Sequence, residues 1–233
     1  MCFNPMITWA TAGLGLATFI LVKAKKKPAT LYLPPLYFGF MEMLQGIMYT
    51  QINSDSLFLV NFLVYFAYLH VCFQPLVVNY WLGYFIRPDQ KKIYDFTLKL
   101  CFIGGLFLLS RVFVTGDAPL CNSFETLCSA KPEVFYGSHH IAWSLPLVAA
   151  GWKYFTPSIA LHMFLFFIPG ILFGFYRLML LFFIFGPLLA AYITSNASEQ
   201  SSIWCVIGLW WLVLTIFTAI YYPPRWLFPN RKI

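Results

Sequence analysis

Between Met6 and Tyr222 the chain is a succession of apolar runs, most of them long enough to cross a bilayer. A spanning helix needs about 20 apolar residues, with a range of about 17–25. The runs extend from about Met6 to Val22, Leu31 to Thr50, Ser56 to Ile86, Leu100 to Thr115, Val134 to Ala150 and Ile203 to Tyr222. Residues 158–194 are too long for one span and are expected to make two, divided near Tyr176 and Arg177. Backbone in hydrocarbon must satisfy its own polar groups, which favours helices. The reading is an all-α integral membrane helical bundle of about eight transmembrane helices, with seven as the alternative. Residues 1–233 are read as a single polytopic membrane domain with an extracytoplasmic loop at about 116–133.

Composition agrees. The chain is 61% hydrophobic and only 10% charged, where a soluble domain carries about 25% charge. Its net charge of +7 does not point to nucleic acid, because the basic residues sit in short clusters between apolar runs. With eight spans, Lys23–Lys27, Arg87–Lys99 and Lys153 share the cytoplasmic side, and both termini lie outside. The basic residues Arg225, Arg231 and Lys232 then sit on the unfavoured side. A seven-span arrangement, with residues 158–194 as one span and a re-entrant piece, brings them inside. Met1–Pro5 lacks the basic region of a cleavable signal peptide, so the first run is expected to be retained. Asn196-Ala-Ser198 is a formal glycosylation acceptor that eight spans would place inside. Cys72, Cys101 and Cys205 lie in apolar runs and read as small core residues. Cys121 and Cys128 lie in the longest polar loop, where an oxidised pair would mark an extracytoplasmic compartment.

The polar residues inside the runs carry the functional question, since such groups are costly at bilayer depth and usually face the protein interior. His70 and Gln74, four residues apart, share one helix face, with Pro75 set to kink the helix beside them. Asn79 follows one turn later. Glu42, Gln45 and Tyr49 share a face of the second run. Arg111 lies near the end of the fourth, and His139 and His140 near the start of the fifth. His162 reads as interfacial, at the inner end of the sixth. Pro75, Pro146, Pro169 and Pro187 interrupt four runs, as helices flanking a cavity often do.

Four chemistries fit this set. Glu42, His70 and His140 could hold a divalent metal such as zinc, with a vacant position for water, and so hydrolyse a lipid or other amphiphile. Gln45, Gln74, Asn79, Arg111 and His139 would line that cavity. His70 and His140 could instead be the axial ligands of a haem. Glu42, Arg111 and His70 could form a charge and proton relay in a transporter or channel for ions or small molecules. In a structural protein without catalysis, Glu42 would pair with Arg111, and His70 and Gln74 would bind neighbouring helices. The partners expected are the lipid bilayer and a lipid or small-molecule ligand, in a plasma, inner or endomembrane.

The motifs also resemble a family. Met1-Cys2, Met41-Glu-Met-Leu-Gln45, Tyr68-Leu-His-Val-Cys-Phe-Gln-Pro75, His140-Ile-Ala-Trp143 with Pro146-Leu147, Gly186-Pro-Leu-Leu-Ala190 and Trp204-Cys205 are similar to elements of an uncharacterised family of multi-pass membrane proteins. The resemblance covers nearly the whole chain. It implies that His140 matters more than His139, which stands where Trp is frequent in that pattern. It implies no activity.

Overall fold

Asn4 opens the first helix. Its side-chain oxygen accepts the Ile7 N–H at 3.0 Å, and Pro5 takes the first helical position, where no N–H is needed. The computed structural model describes residues 4–52, 56–113, 127–148 and 157–221. Helix α1 (Pro5–Ala24) turns tightly into α2 (Ala29–Tyr49), and α3 (Leu57–Leu82) leads through two short turns into α4 (Lys91–Ser110). An antiparallel hairpin follows, β1 (Glu133–Tyr136) paired with β2 (Ile141–Ser144). After it come α5 (Pro157–Leu172) and α6 (Tyr176–Phe183). A π-helical turn at Ile184–Leu188, around Pro187, joins α6 to α7 (Leu189–Ile193). Helix α8 (Ala197–Tyr221) ends the described chain.

Counting α6 and α7 as one, seven helical segments result among the described residues, and side-chain contacts fix their directions. Gly46 lies against Trp9, and Gly39 against Gly15, so α1 and α2 are antiparallel. Tyr37 meets His70 and Phe40 meets Phe66, which sets α3 against α2. Gly83 meets Tyr94 and Gly105 meets Phe73, which sets α4 against α3. Leu165 lies beside Asn79, and Gly170 beside Leu82, so α5 runs parallel to α3. Gly174, at φ 91°, makes the turn after α5 that brings Met179 back against Gly170. Gly186 against Trp204, and Phe182 against Trp211, complete the alternation. One end of the bundle thus holds the α1/α2, α3/α4 and α5/α6 turns, with Lys23, Lys25, Lys26, Lys27, Arg87, Lys91, Lys92 and Arg177. The hairpin and the α7/α8 turn close the other end.

The expected fifth span, Val134 to Ala150, is not a helix where it is described. Val134-Phe-Tyr136 and Ile141-Ala-Trp143 are rich in β-branched and aromatic residues, and Gly137-Ser138 supplies a turn between them. All four β2 residues are buried, so the non-helical backbone of this inner strand is shielded by protein, as bilayer depth requires. Losing that span reverses α5. His162 therefore starts at the hairpin end, and Arg177 joins the basic end. Residues 158–194 do form two segments.

Among the described residues five helices are long and apolar enough to cross a membrane: Pro5–Ala24, Leu57–Phe85, Pro88–Ser110, Tyr176–Ile193 and Ala197–Tyr221. Helices α2 and α5 pack among them. Exposed Phe96, Leu100, Ile103 and Phe107 recur on α4 at helical spacing, and a face of that kind belongs in lipid rather than water. The protein is a membrane-embedded helical bundle. Its core has two parts. Trp81, Phe85, Tyr94, Phe175 and Leu209 fill the basic half. Met41, Leu63, Tyr68, Ile141 and Trp143 pack the hairpin half.

Candidate functional site

Glu42, Gln45, His70, Gln74, Asn79, Arg111 and His140 are all buried. They do different things. Asn79 repairs a helix break. Pro169 has no N–H, so the Leu165 carbonyl one turn earlier loses its helical donor. Asn79 Nδ2 donates to that carbonyl at 2.9 Å and also to Pro75 O at 2.8 Å, and Tyr94 Oη donates to Asn79 O at 2.7 Å. Arg111 anchors the strand beyond the hairpin. Its Nε and Nη2 donate to Val148 O at 3.0 and 2.8 Å, and Val148 N returns a bond to Arg111 O at 2.9 Å. The guanidinium is thus held by backbone.

His140 sits inside a hydrogen-bonded chain. Ile141 N donates to Tyr49 Oη at 3.1 Å, and Tyr49 Oη lies 2.6 Å from His140 Nδ1. His140 Nε2 lies 3.0 Å from Gln45 Oε1. One proton assignment satisfies every link: Tyr49 donates to Nδ1, and a protonated Nε2 donates to Gln45. The imidazole is fixed and both ring nitrogens are engaged. His139 contributes its backbone N–H to a different group, Glu199.

Glu199 escaped the sequence reading, which left it in a loop. It is fully buried. Its Oε1 accepts the backbone N–H groups of both His139 and His140, and Thr194 Oγ1 donates to its Oε2 at 2.6 Å. The turn between β1 and β2 thus wraps a carboxylate in backbone donors, a small anion nest. A Cβ on Gly137 would fall 2.6 Å from His140 O and collide with this carboxylate. A signal was present: Asn196 followed three residues later by Glu199 is a helix-start signature. Asn196 does cap α8, through Ser198 N at 3.1 Å, while Glu199 turns away to the hairpin.

His70 is stacked on Tyr37, with ring centroids 3.8 Å apart, and meets Phe38 edge-on. Its Nε2, and both carboxyl oxygens of Glu42, have no hydrogen-bond partner among the described residues. Glu42, His70 and His140 are not drawn into one cluster: among the described residues no group of three or more His, Cys, Asp or Glu is placed to hold a metal ion. Cys121 lies outside the described residues, so its pairing with Cys128 does too. Cys72, Cys101 and Cys205 are buried free thiols.

A cavity of about 170 Å³ opens between α3, α4, α5, α7 and α8 in the hairpin half. Val71, Leu108, Leu147, Met163, Pro187 and Ala190 give it apolar walls, and Gln74, His162, Gln200, Ser201 and Cys205 give it polar points. Gln74 Nε2 donates to Cys205 Sγ at 3.3 Å. His162, far from interfacial, is buried against Trp204, with centroids 5.7 Å apart and rings nearly perpendicular. Neither of its ring nitrogens has a partner among the described residues. Below Gln74 and Cys205 only a gap of about 10 Å³ remains, among Phe166, Phe182 and Leu212 of the aromatic core of the basic half.

Residues 6–223 match a family of unknown function, DUF5765, and the chain belongs to that family. No match to the chain was found among curated proteins or among solved structures.

Proposed function

We propose that this family member binds a small amphiphile inside the membrane, in the cavity between α3, α4, α5, α7 and α8. The observation that carries the reading is the cavity itself: apolar walls from Val71, Leu108, Leu147, Met163 and Pro187 around a few polar points, Gln74, Gln200, Ser201 and Cys205. A concave apolar pocket with a few convergent polar groups is the usual form of a small-molecule site. The packed basic half below it supports a site closed on that side over a path through the bundle. Replacing Ala190 by Trp fills the cavity from α7. Mass spectrometry of organic extracts should find a compound that copurifies with the wild type and is lost from Ala190→Trp. Identical extracts from two folded proteins would contradict the reading.

Metal binding by Glu42, His70 and His140, none of which lines the cavity, is a separate extension of the reading. It is favoured by the unpartnered Glu42 oxygens and His70 Nε2, although His140 must release Tyr49 or Gln45 to bind a metal. Elemental analysis tests it. One equivalent of zinc, lost in both His70→Ala and His140→Ala, supports the extension, and metal-free protein refutes it.

The basic end is the cytoplasmic end in this reading, because Lys and Arg concentrate on the cytoplasmic side of membrane proteins. The hairpin, the loop at 116–133 and an oxidised Cys121–Cys128 pair are then extracytoplasmic.

A further inference from the structure

We infer that an anionic phospholipid binds at the basic end, on the seam between α1 and α8, with its phosphate at Lys25 and Tyr221 and an acyl chain along Leu21, Leu214 and Phe217. The inference stands apart from the cavity and does not depend on the cavity holding a ligand.

The seam is defined by two contacts. Trp210 Nε1 donates to Thr11 Oγ1 at 3.1 Å, and Lys25 Nζ donates to Tyr221 Oη. Both pairs advance toward the same end, so α1 and α8 lie side by side and run parallel. Leu21 stands one turn before Lys25, and Phe217 one turn before Tyr221, its ring stacked on the Tyr221 ring with centroids 6.3 Å apart. Leu21, Leu214 and Tyr221 are each about half exposed. An apolar strip thus leads up to a Lys–Tyr pair. Lys and Tyr sit at that height in membrane proteins because the headgroups lie there.

Charge selects the headgroup. The described residues of this end include Lys23, Lys25, Lys26, Lys27, Arg87, Lys91, Lys92 and Arg177, against Asp89 and Asp95. Asp89 is tied to Arg87 at 3.0 Å, and Asp95 has Lys99 one turn on. The lysine cluster is carried on a fixed turn. Lys26 N donates to Lys23 O at 2.9 Å and Lys27 N to Val22 O at 3.3 Å, with Lys26 at φ 54°, the left-handed position that glycine usually fills. Basic pockets between helices at the cytoplasmic face bind anionic headgroups. A choline headgroup would bring its own cation against Lys23 and Lys25.

Hydrogen bonding places the phosphate. An ammonium has three protons, and Lys25 spends one on the phenol oxygen. Its other two and the phenol proton have no acceptor among the described residues. Phosphate oxygens accept from both groups at once. Lys25 also lies over the Tyr221 ring, 4.9 Å from its centroid, and Lys23 over the Phe19 ring at 5.3 Å, so rings hold both cations at the seam.

The test is native mass spectrometry of the full-length protein with equimolar dioleoylphosphatidylglycerol and dioleoylphosphatidylcholine. Phosphatidylglycerol should bind at least about tenfold more tightly, equivalent to ~1.4 kcal/mol. Lys25→Gln combined with Tyr221→Phe should abolish the preference, while Lys25→Arg, which keeps the charge, should retain it. Tyr221→Phe alone keeps the ring and should lose part of it. Lys131→Gln, at the hairpin end, should change nothing. Equal binding of the two lipids by the wild type would overturn the ligand class. A preference that survives Lys25→Gln/Tyr221→Phe but is lost in Lys91→Gln/Lys92→Gln would overturn the seam as its place. Free glycerol 3-phosphate competing as well as the lipid would refute the role of the apolar strip.

Discussion

The Glu199 carboxylate accepts the backbone N–H of His140 across 59 residues of sequence, and so ties the start of α8 to the turn of the hairpin. The same oxygen holds His139 N, and Thr194 occupies the other. His140 is thereby set where Tyr49 and Gln45 can take both of its ring nitrogens. The hairpin that closes one end of the bundle is positioned by a buried negative charge.

Glu199→Ala should therefore cost on the order of 3 kcal/mol, because hydrogen bonds to charged groups contribute about 1.5–3 kcal/mol each. Glu199→Gln keeps an acceptor and should cost less. Thermal unfolding in detergent ranks the two. Gly137→Ala should resemble Glu199→Ala, since its Cβ has no room beside the carboxylate. Equal stability of wild type and Glu199→Ala would show that the anchor is unimportant.

Asn79 and Pro169 should be energetically coupled. Asn79→Ala leaves the Leu165 carbonyl buried without its 2.9 Å donor, at about 1–3 kcal/mol. Pro169→Ala restores a backbone N–H to that carbonyl. In the Pro169→Ala background, Asn79→Ala should lose less stability than it does alone, by at least ~0.5 kcal/mol. Additive costs in the double-mutant cycle would break the link.

Gly15 should tolerate no larger side chain. A Cβ there would lie 2.6 Å from Pro35 O and 2.7 Å from the Gly39 Cα, both of them backbone that cannot swing aside. Gly15→Val should separate α1 from α2 and lower the unfolding temperature sharply. Gly13→Val, where a Cβ meets nothing within 4 Å, should be nearly silent.

Much of this site was legible in the sequence, for a physical reason. Glu42, His70, Asn79 and Arg111 stand out because polar groups in apolar runs must turn inward, and the structure buries them all. Their partners were not legible. A Glu42–Arg111 pair belonged to one of the four readings, but a backbone carbonyl can hold a guanidinium as a carboxylate can, and spacing does not distinguish the two. The hairpin was missed because an apolar run of helical length outweighed the weaker Gly137-Ser138 turn signal. That one error also sent His162 to the wrong end of the bundle.

The direction of the segments is open to a direct check. In a Cys2→Ser, Cys121→Ser, Cys128→Ser background, single cysteines at Lys26 and Lys232 should react with an impermeant maleimide from the same side, the cytoplasm. A cysteine at Ser138, which is exposed at the hairpin turn, should react only from the other. Labelling of Lys26 and Lys232 positions from opposite sides would restore the eight-span arrangement.

The central claim is that the cavity beside His162 holds a ligand. A crystal structure grown from a lipidic mesophase tests it most directly. The account predicts elongated non-protein density between α3, α5 and α8, with its polar end within hydrogen-bonding distance of Gln74, Gln200 or Ser201. A cavity collapsed by Trp204 or Met163, or one containing only ordered water, would contradict it.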